Sequence, residues 1–106
     1  MPKYMVHASY TAEGAKGVIS EGGSGRRDAV AQLTESLGGT VEAFYFAFGS
    51  DDVVIVLDFP DNVSAAAVGM TVGASGLVSI RTTVLLTPEE IDEASRKSIN
   101  YRAPGQ

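Results

Sequence analysis

The 106-residue chain has no cysteine, no tryptophan and one histidine, His7. Without cysteine there are no disulfides, thiolate nucleophiles or cysteine-based metal sites. A metal would rest on one imidazole plus carboxylates, and the acidic residues fall mainly in turns and near the C-terminus, so no metal or other cofactor is expected. Positive charge is also scarce, with 8 Lys and Arg against 13 Asp and Glu, for a net charge of −5. Only Arg26-Arg27 and Arg96-Lys97 approach a basic cluster, which argues against nucleic acid as a partner. No apolar run reaches the roughly 18 residues of a membrane span, and no charged-then-apolar leader opens the chain. A soluble cytoplasmic protein is the expectation. Gly22-Gly23-Ser24-Gly25 before Arg26-Arg27 superficially resembles a phosphate-binding turn. It has no preceding strand and no Gly-Lys-Ser/Thr, so it reads as a surface loop or a break between two helical pieces.

What the chain does have is centred on Thr40 to Phe59, two runs rich in Val, Ile, Phe and Tyr on either side of Gly49-Ser50-Asp51-Asp52. This is the pattern of a buried hairpin. With 49–52 as the connection, Phe48 lies opposite Val53, Phe46 opposite Ile55 and Phe44 opposite Leu57 on one bulky, dry face. Ala43, Tyr45 and Ala47 then share the other face with Val54, Val56 and Asp58. Gly49 suits a positive φ, and Asp51 or Asp52 suits bonding to backbone N–H groups of the turn.

Around the hairpin, Tyr4, Val6, Ala8 and Tyr10 alternate with Met5, His7 and Ser9 as a strand near the N-terminus, expected to be central or paired. Thr11 offers an N-cap to a weak helix over 12–20, and Arg26 to Leu37 carries Val30, Leu33 and Leu37 as an apolar stripe before Gly38-Gly39 stops it. Pro60 closes the hairpin, and Asp61 or Asn62 caps a helix with Val63, Ala66, Ala67, Met70 and Ala74 as its expected stripe. Leu77 to Leu86 is the last strand, with Val78, Ile80, Thr82, Val84 and Leu86 on one side. Thr87-Pro88-Glu89-Glu90 is a capping box that opens a short helix to about Lys97, with Glu93 and Lys97 as an i,i+4 pair.

The order strand, helix, strand, strand, helix, strand specifies an α+β, ferredoxin-like βαββαβ fold. Its four-stranded antiparallel sheet carries helices on one face, with an extra C-terminal helix. The domain is expected over 1–97 and a tail over 98–106. The other sheet face is left bare, and two such faces meeting would make a dimeric α/β barrel.

The chain resembles the GYD domain family of small bacterial proteins, named for a Gly-Tyr-Asp turn. The likeness runs through Lys3-Tyr4, Tyr10-Thr11, Gly14, Leu37-Gly38-Gly39, the hairpin to Pro60-Asp61, Arg81-Thr82 and Thr87-Pro88-Glu89-Glu90. The turn here is Gly49-Ser50-Asp51, with serine in the place of tyrosine. The resemblance implies a dimeric barrel, often further oligomerised, with no generally established activity.

Four residues are the candidate ligand-binding set: His7, Tyr45, Asp58 and Arg81. A carboxylate on an apolar strand needs a partner, and Arg81 is the expected partner of Asp58, within the subunit or across the dimer. Tyr45 shares the Asp58 face, whereas the face of His7 is left open. No residue is assigned as catalytic. The expected function is that of a small homo-oligomer, self-associating through its open sheet face and taking a small organic ligand. The enzyme alternative is a cofactor-independent monooxygenase or isomerase acting in the barrel cavity.

Overall fold

The computed structural model describes residues 2–106. Four strands and four helices follow in the order β1 (Lys3–Tyr10), α1 (Ala12–Glu21), α2 (Gly23–Ser36), β2 (Thr40–Phe46), β3 (Val53–Asp58), α3 (Asn62–Ala74), β4 (Val78–Leu85) and α4 (Pro88–Ser95). The strands form one antiparallel sheet in the order β2-β3-β1-β4, so the N-terminal strand is central. This is the expected α+β, ferredoxin-like architecture.

Period-two alternation decides which side chains are buried. Tyr4, Val6 and Ala8 of β1 and Val53, Ile55 and Leu57 of β3 point at the helices and make the core with Phe59 and Ala65. Tyr4 packs edge-on against Phe59, with ring centroids 5.9 Å apart. Its hydroxyl donates to Asn62 Oδ1 at 2.5 Å, which anchors the start of α3 to the sheet. Burial and the nearby Asp61 carboxylate push the Tyr4 phenol upward from its ordinary pKa.

The helix ends follow from their caps. Thr11 accepts from Gly14 N–H, Asp61 from Ser64 N–H, and Thr87 and Glu90 make a reciprocal capping box. Gly38 takes a positive φ of 79° after α2. Two other glycines are required for close approach. A Cβ on Gly14 would lie 2.0 Å from the Leu77 carbonyl oxygen, and one on Gly39 2.3 Å from that of Asp58.

Several expectations are corrected. The hairpin register is displaced by two residues, with Phe46 opposite Val53 and Phe44 opposite Ile55. Ala47 N–H bonds the Asp52 carbonyl, so the connection is 48–51 and Phe48 is fully exposed. From Ala43 to Phe46 the displacement is even, so these side chains keep their faces, while a bulge at Glu42 shifts the pairing by one more and sets Val41 opposite Leu57. Gly49 has no positive φ; the break falls at Gly22, with φ 85°, while Gly23-Ser24-Gly25 form the first turn of α2 rather than a loop. In α3 the buried residue is Ala65, with Val68 and Val72 half-buried, whereas Val63 and Met70 are 78% and 76% exposed. That helix is apolar nearly all round, so its period does not select a face. Helix α4 stops at Ser95, which leaves Lys97 beyond the turn that would pair it with Glu93.

Helix α2 lies along β2 and α3 along β4, while the strands between them, β3 and β1, form the middle of the sheet. A cavity of about 360 Å³ runs between that middle region and the helices. It is far larger than the water-sized voids of a close-packed interior.

Beyond β4 the chain leaves the body. Every residue from Leu86 to Arg102 is exposed, including Ile91, Ile99 and Tyr101. The radius of gyration is 17.0 Å, against roughly 13 Å for a compact domain of this length.

Candidate functional site on the open sheet face

The sheet face turned away from the core carries Met5, His7, Val54, Val56, Tyr45, Arg81, Thr83 and Leu85. Strand register aligns Tyr45, Val54, His7 and Arg81 as one row across the four strands, because Tyr45 pairs with Val54, Val54 with His7 and His7 with Arg81. Directly opposed residues share a face. Three of the four expected site residues therefore share one row, with His7 and Arg81 on adjacent strands and Tyr45 two strands from His7. Tyr45 is 70% exposed. The Nδ1 atom of His7 is buried and has no hydrogen-bond partner.

Asp58 departs from expectation. It lies on the same face but in the row of Thr40, Lys3 and Leu85, four residues along β1 from His7. At about 3.3 Å per residue that is roughly 13 Å from the His7 row. Its carboxylate binds Lys3 Nζ at 3.1 Å and accepts from Thr40 Oγ1 at 3.4 Å. The expected pair of Asp58 with Arg81 is not formed. Instead Arg81 Nη2 donates to Asp51 Oδ2 at 3.3 Å. Lys3 also binds Glu42 at 2.6 Å, from the position where the β2–β3 register slips by one residue. These two carboxylates, Glu42 first, hold the Lys3 pKa above its ordinary value.

The loop before β3 is pinned by its two aspartates, and neither serves its own turn as expected. Asp52 Oδ2 accepts from Tyr10 N–H at 2.8 Å, and Asp52 N–H donates to the Ala8 carbonyl. Asp51 is left facing β4, where it meets Arg81. Sequence reasoning missed Asp51 as a member of this cluster. The signal was its place in Gly49-Ser50-Asp51, at the end of the sheet where the β2–β3 loop passes the tip of β1.

The GYD domain model matches residues 4–95. The chain belongs to the GYD domain family. No curated protein sequence matches it. In this GYD domain Asp51 of the Gly49-Ser50-Asp51 loop pairs with Arg81, which lies beside His7. Among the described residues no three His, Cys, Asp or Glu side chains gather as a metal site. Chemically, the row offers a guanidinium, a phenol and an imidazole, a donor-rich set on an apolar floor. Among the described residues no helix is long and apolar enough to cross a membrane.

Proposed function

We propose that this GYD domain protein is a self-associating, small-molecule-binding protein. Two copies bring their open sheet faces together and enclose the row of Tyr45, His7 and Arg81. The observation that supports this most is the uncovered face itself: Met5, Val54, Val56 and Leu85 lie there with the row, while the core and the helices over it occupy the other side. Apolar area of this kind is seldom left to water in a soluble monomer, and a two-fold copy presents a matching surface. The arm from Leu86 onward extends the apolar area that a second copy can cover.

Within the closed face, Arg81 and the Tyr45 hydroxyl donate to oxygen atoms of a small organic ligand, and His7 Nδ1 gains the partner it lacks inside the chain. Asp58 takes no direct part, because Lys3 and Thr40 occupy its carboxylate. Native mass spectrometry of protein purified without denaturation tests both halves of the reading. A dimer or its multiple carrying a reproducible small adduct is the expected result. A stable monomer contradicts the assembly.

A further inference from the structure

The cavity on the helix side of the sheet lies opposite the face considered above and depends on none of its residues. Its floor is Val6, Val53 and Ile55, and its roof is formed by half-buried Val30, Leu33 and Val68. These roof residues are only half-buried, whereas the fully buried side chains of α2 and α3 are the small Thr34 and Ala65. The volume of about 360 Å³ falls at the small end of ordinary ligand pockets, which span roughly 300–1,000 Å³. Along β1 its lining reaches from Val6 to Tyr10, four residues or about 13 Å.

Polar groups also line the cavity. Tyr10, Glu13, Glu21 and Arg26 belong to its wall, and Arg26 Nη1 pairs with Glu21 Oε1 at 3.4 Å. Burial raises the Tyr10 pKa, with Arg26, Asp52 and Glu21 all close enough to act on it. Its hydroxyl is thus a proton donor throughout the neutral range. The guanidinium is already matched by Glu21, and Glu13 pairs with Lys16 at 3.4 Å. A carboxylate ligand would find no unpaired cation in this wall, and an ammonium no unpaired carboxylate.

We infer that this cavity binds a small, elongated, uncharged molecule ending in a hydroxyl, of the class of medium-chain alcohols and alkylphenols. The apolar body lies on Val6, Val53 and Ile55, and the hydroxyl exchanges hydrogen bonds with Tyr10 and Glu21.

Methyl-labelled protein titrated with 1-octanol, and in parallel with octanoate at pH 7, tests the inference by NMR. Expected are intermolecular contacts from the octanol chain to Val6, Val30 and Ile55, with octanoate at least tenfold weaker. Octanol contacts confined to Met5, Val54 and Val56 would overturn the placement and assign binding to the open face instead. Equal affinity for octanoate would overturn the hydroxyl assignment, and absence of octanol binding would overturn both. Val68→Phe fills part of the space; a folded V68F protein is expected to lose at least tenfold in octanol affinity, and unchanged affinity contradicts the site. If V68F does not fold, the contact map of the unsubstituted protein decides alone.

Discussion

Arg81 on β4 is held by Asp51, 3.3 Å away in the loop between β2 and β3, and not by Asp58. The pair is 68% exposed on the arginine side, so its energetic weight is small. A double-mutant cycle of Asp51→Asn and Arg81→Ala is expected to show coupling below about 1 kcal/mol in urea unfolding. The cycle of Asp58→Asn with Arg81→Ala should be additive within about 0.5 kcal/mol. Coupling that appears in the second cycle and not the first would contradict the observed pairing.

Gly14 and Gly39 should be intolerant of any side chain, because a Cβ at either meets a backbone carbonyl oxygen. Gly14→Ala and Gly39→Ala are each expected to lower stability by about 1–3 kcal/mol or more, measured by chemical denaturation. Gly73, inside α3 with open space around its Cα, provides the control. Gly73→Ala is expected to stabilise by about 0.4–1 kcal/mol through the unfolded chain.

Two charged groups make stability depend on pH at opposite ends of the scale. The Ser64 N–H and hydroxyl hold the Asp61 pKa below the ordinary carboxylate value. Its stabilising effect is therefore complete above that ordinary value and is lost as pH falls through the depressed folded one. Lys3 is raised by Glu42 and Asp58, so its contribution is complete below the ordinary lysine value and is lost as pH rises through the elevated one. Thermal melts of Asp61→Asn should lose part of the acid-side dependence, and melts of Lys3→Met part of the alkaline-side dependence. An unchanged profile in both variants would contradict these assignments.

The segment Ser98 to Gln106 contributes almost no burial within its own chain. Its deletion is expected to leave the melting temperature of the isolated subunit within about 2 °C of the full chain, since little surface is re-exposed. A larger loss that depends on protein concentration would show that the arm lies on a second copy. A larger loss independent of concentration would contradict its description as an unsupported arm.

Much of the fold was legible because its signals are local. Tyr4, Val6 and Ala8 alternate with Met5 and His7, Thr11 and Asp61 cap helices, and Thr87 and Glu90 form a capping box; each reads from neighbours a few residues apart. The face of Tyr45 followed from alternation alone and survived an error in register, because the register moved by an even number. What the sequence concealed depends on contacts between distant segments. Asp52 is drawn out of its own turn by Tyr10 N–H, 42 residues earlier, and that shifts the hairpin connection. Lys3, 55 residues from Asp58, takes the carboxylate expected to hold Arg81. Helix α3 has apolar residues on every side, so only its packing on β4 selects Ala65 and Val68 over Val63 and Met70. The helix-side cavity had no sequence signal, since it results from the spacing of α2 and α3 over the sheet.

Sedimentation velocity on the intact protein, beside Val56→Arg, tests the central claim most directly. Val56 lies mid-row on the open face between Met5 and Ala43, away from the core. A dimer or higher multiple for the unsubstituted protein at micromolar concentration, and a folded monomer for V56R, is the expected result. A monomer for the unsubstituted protein, or an oligomer unaffected by V56R, would contradict association through this face.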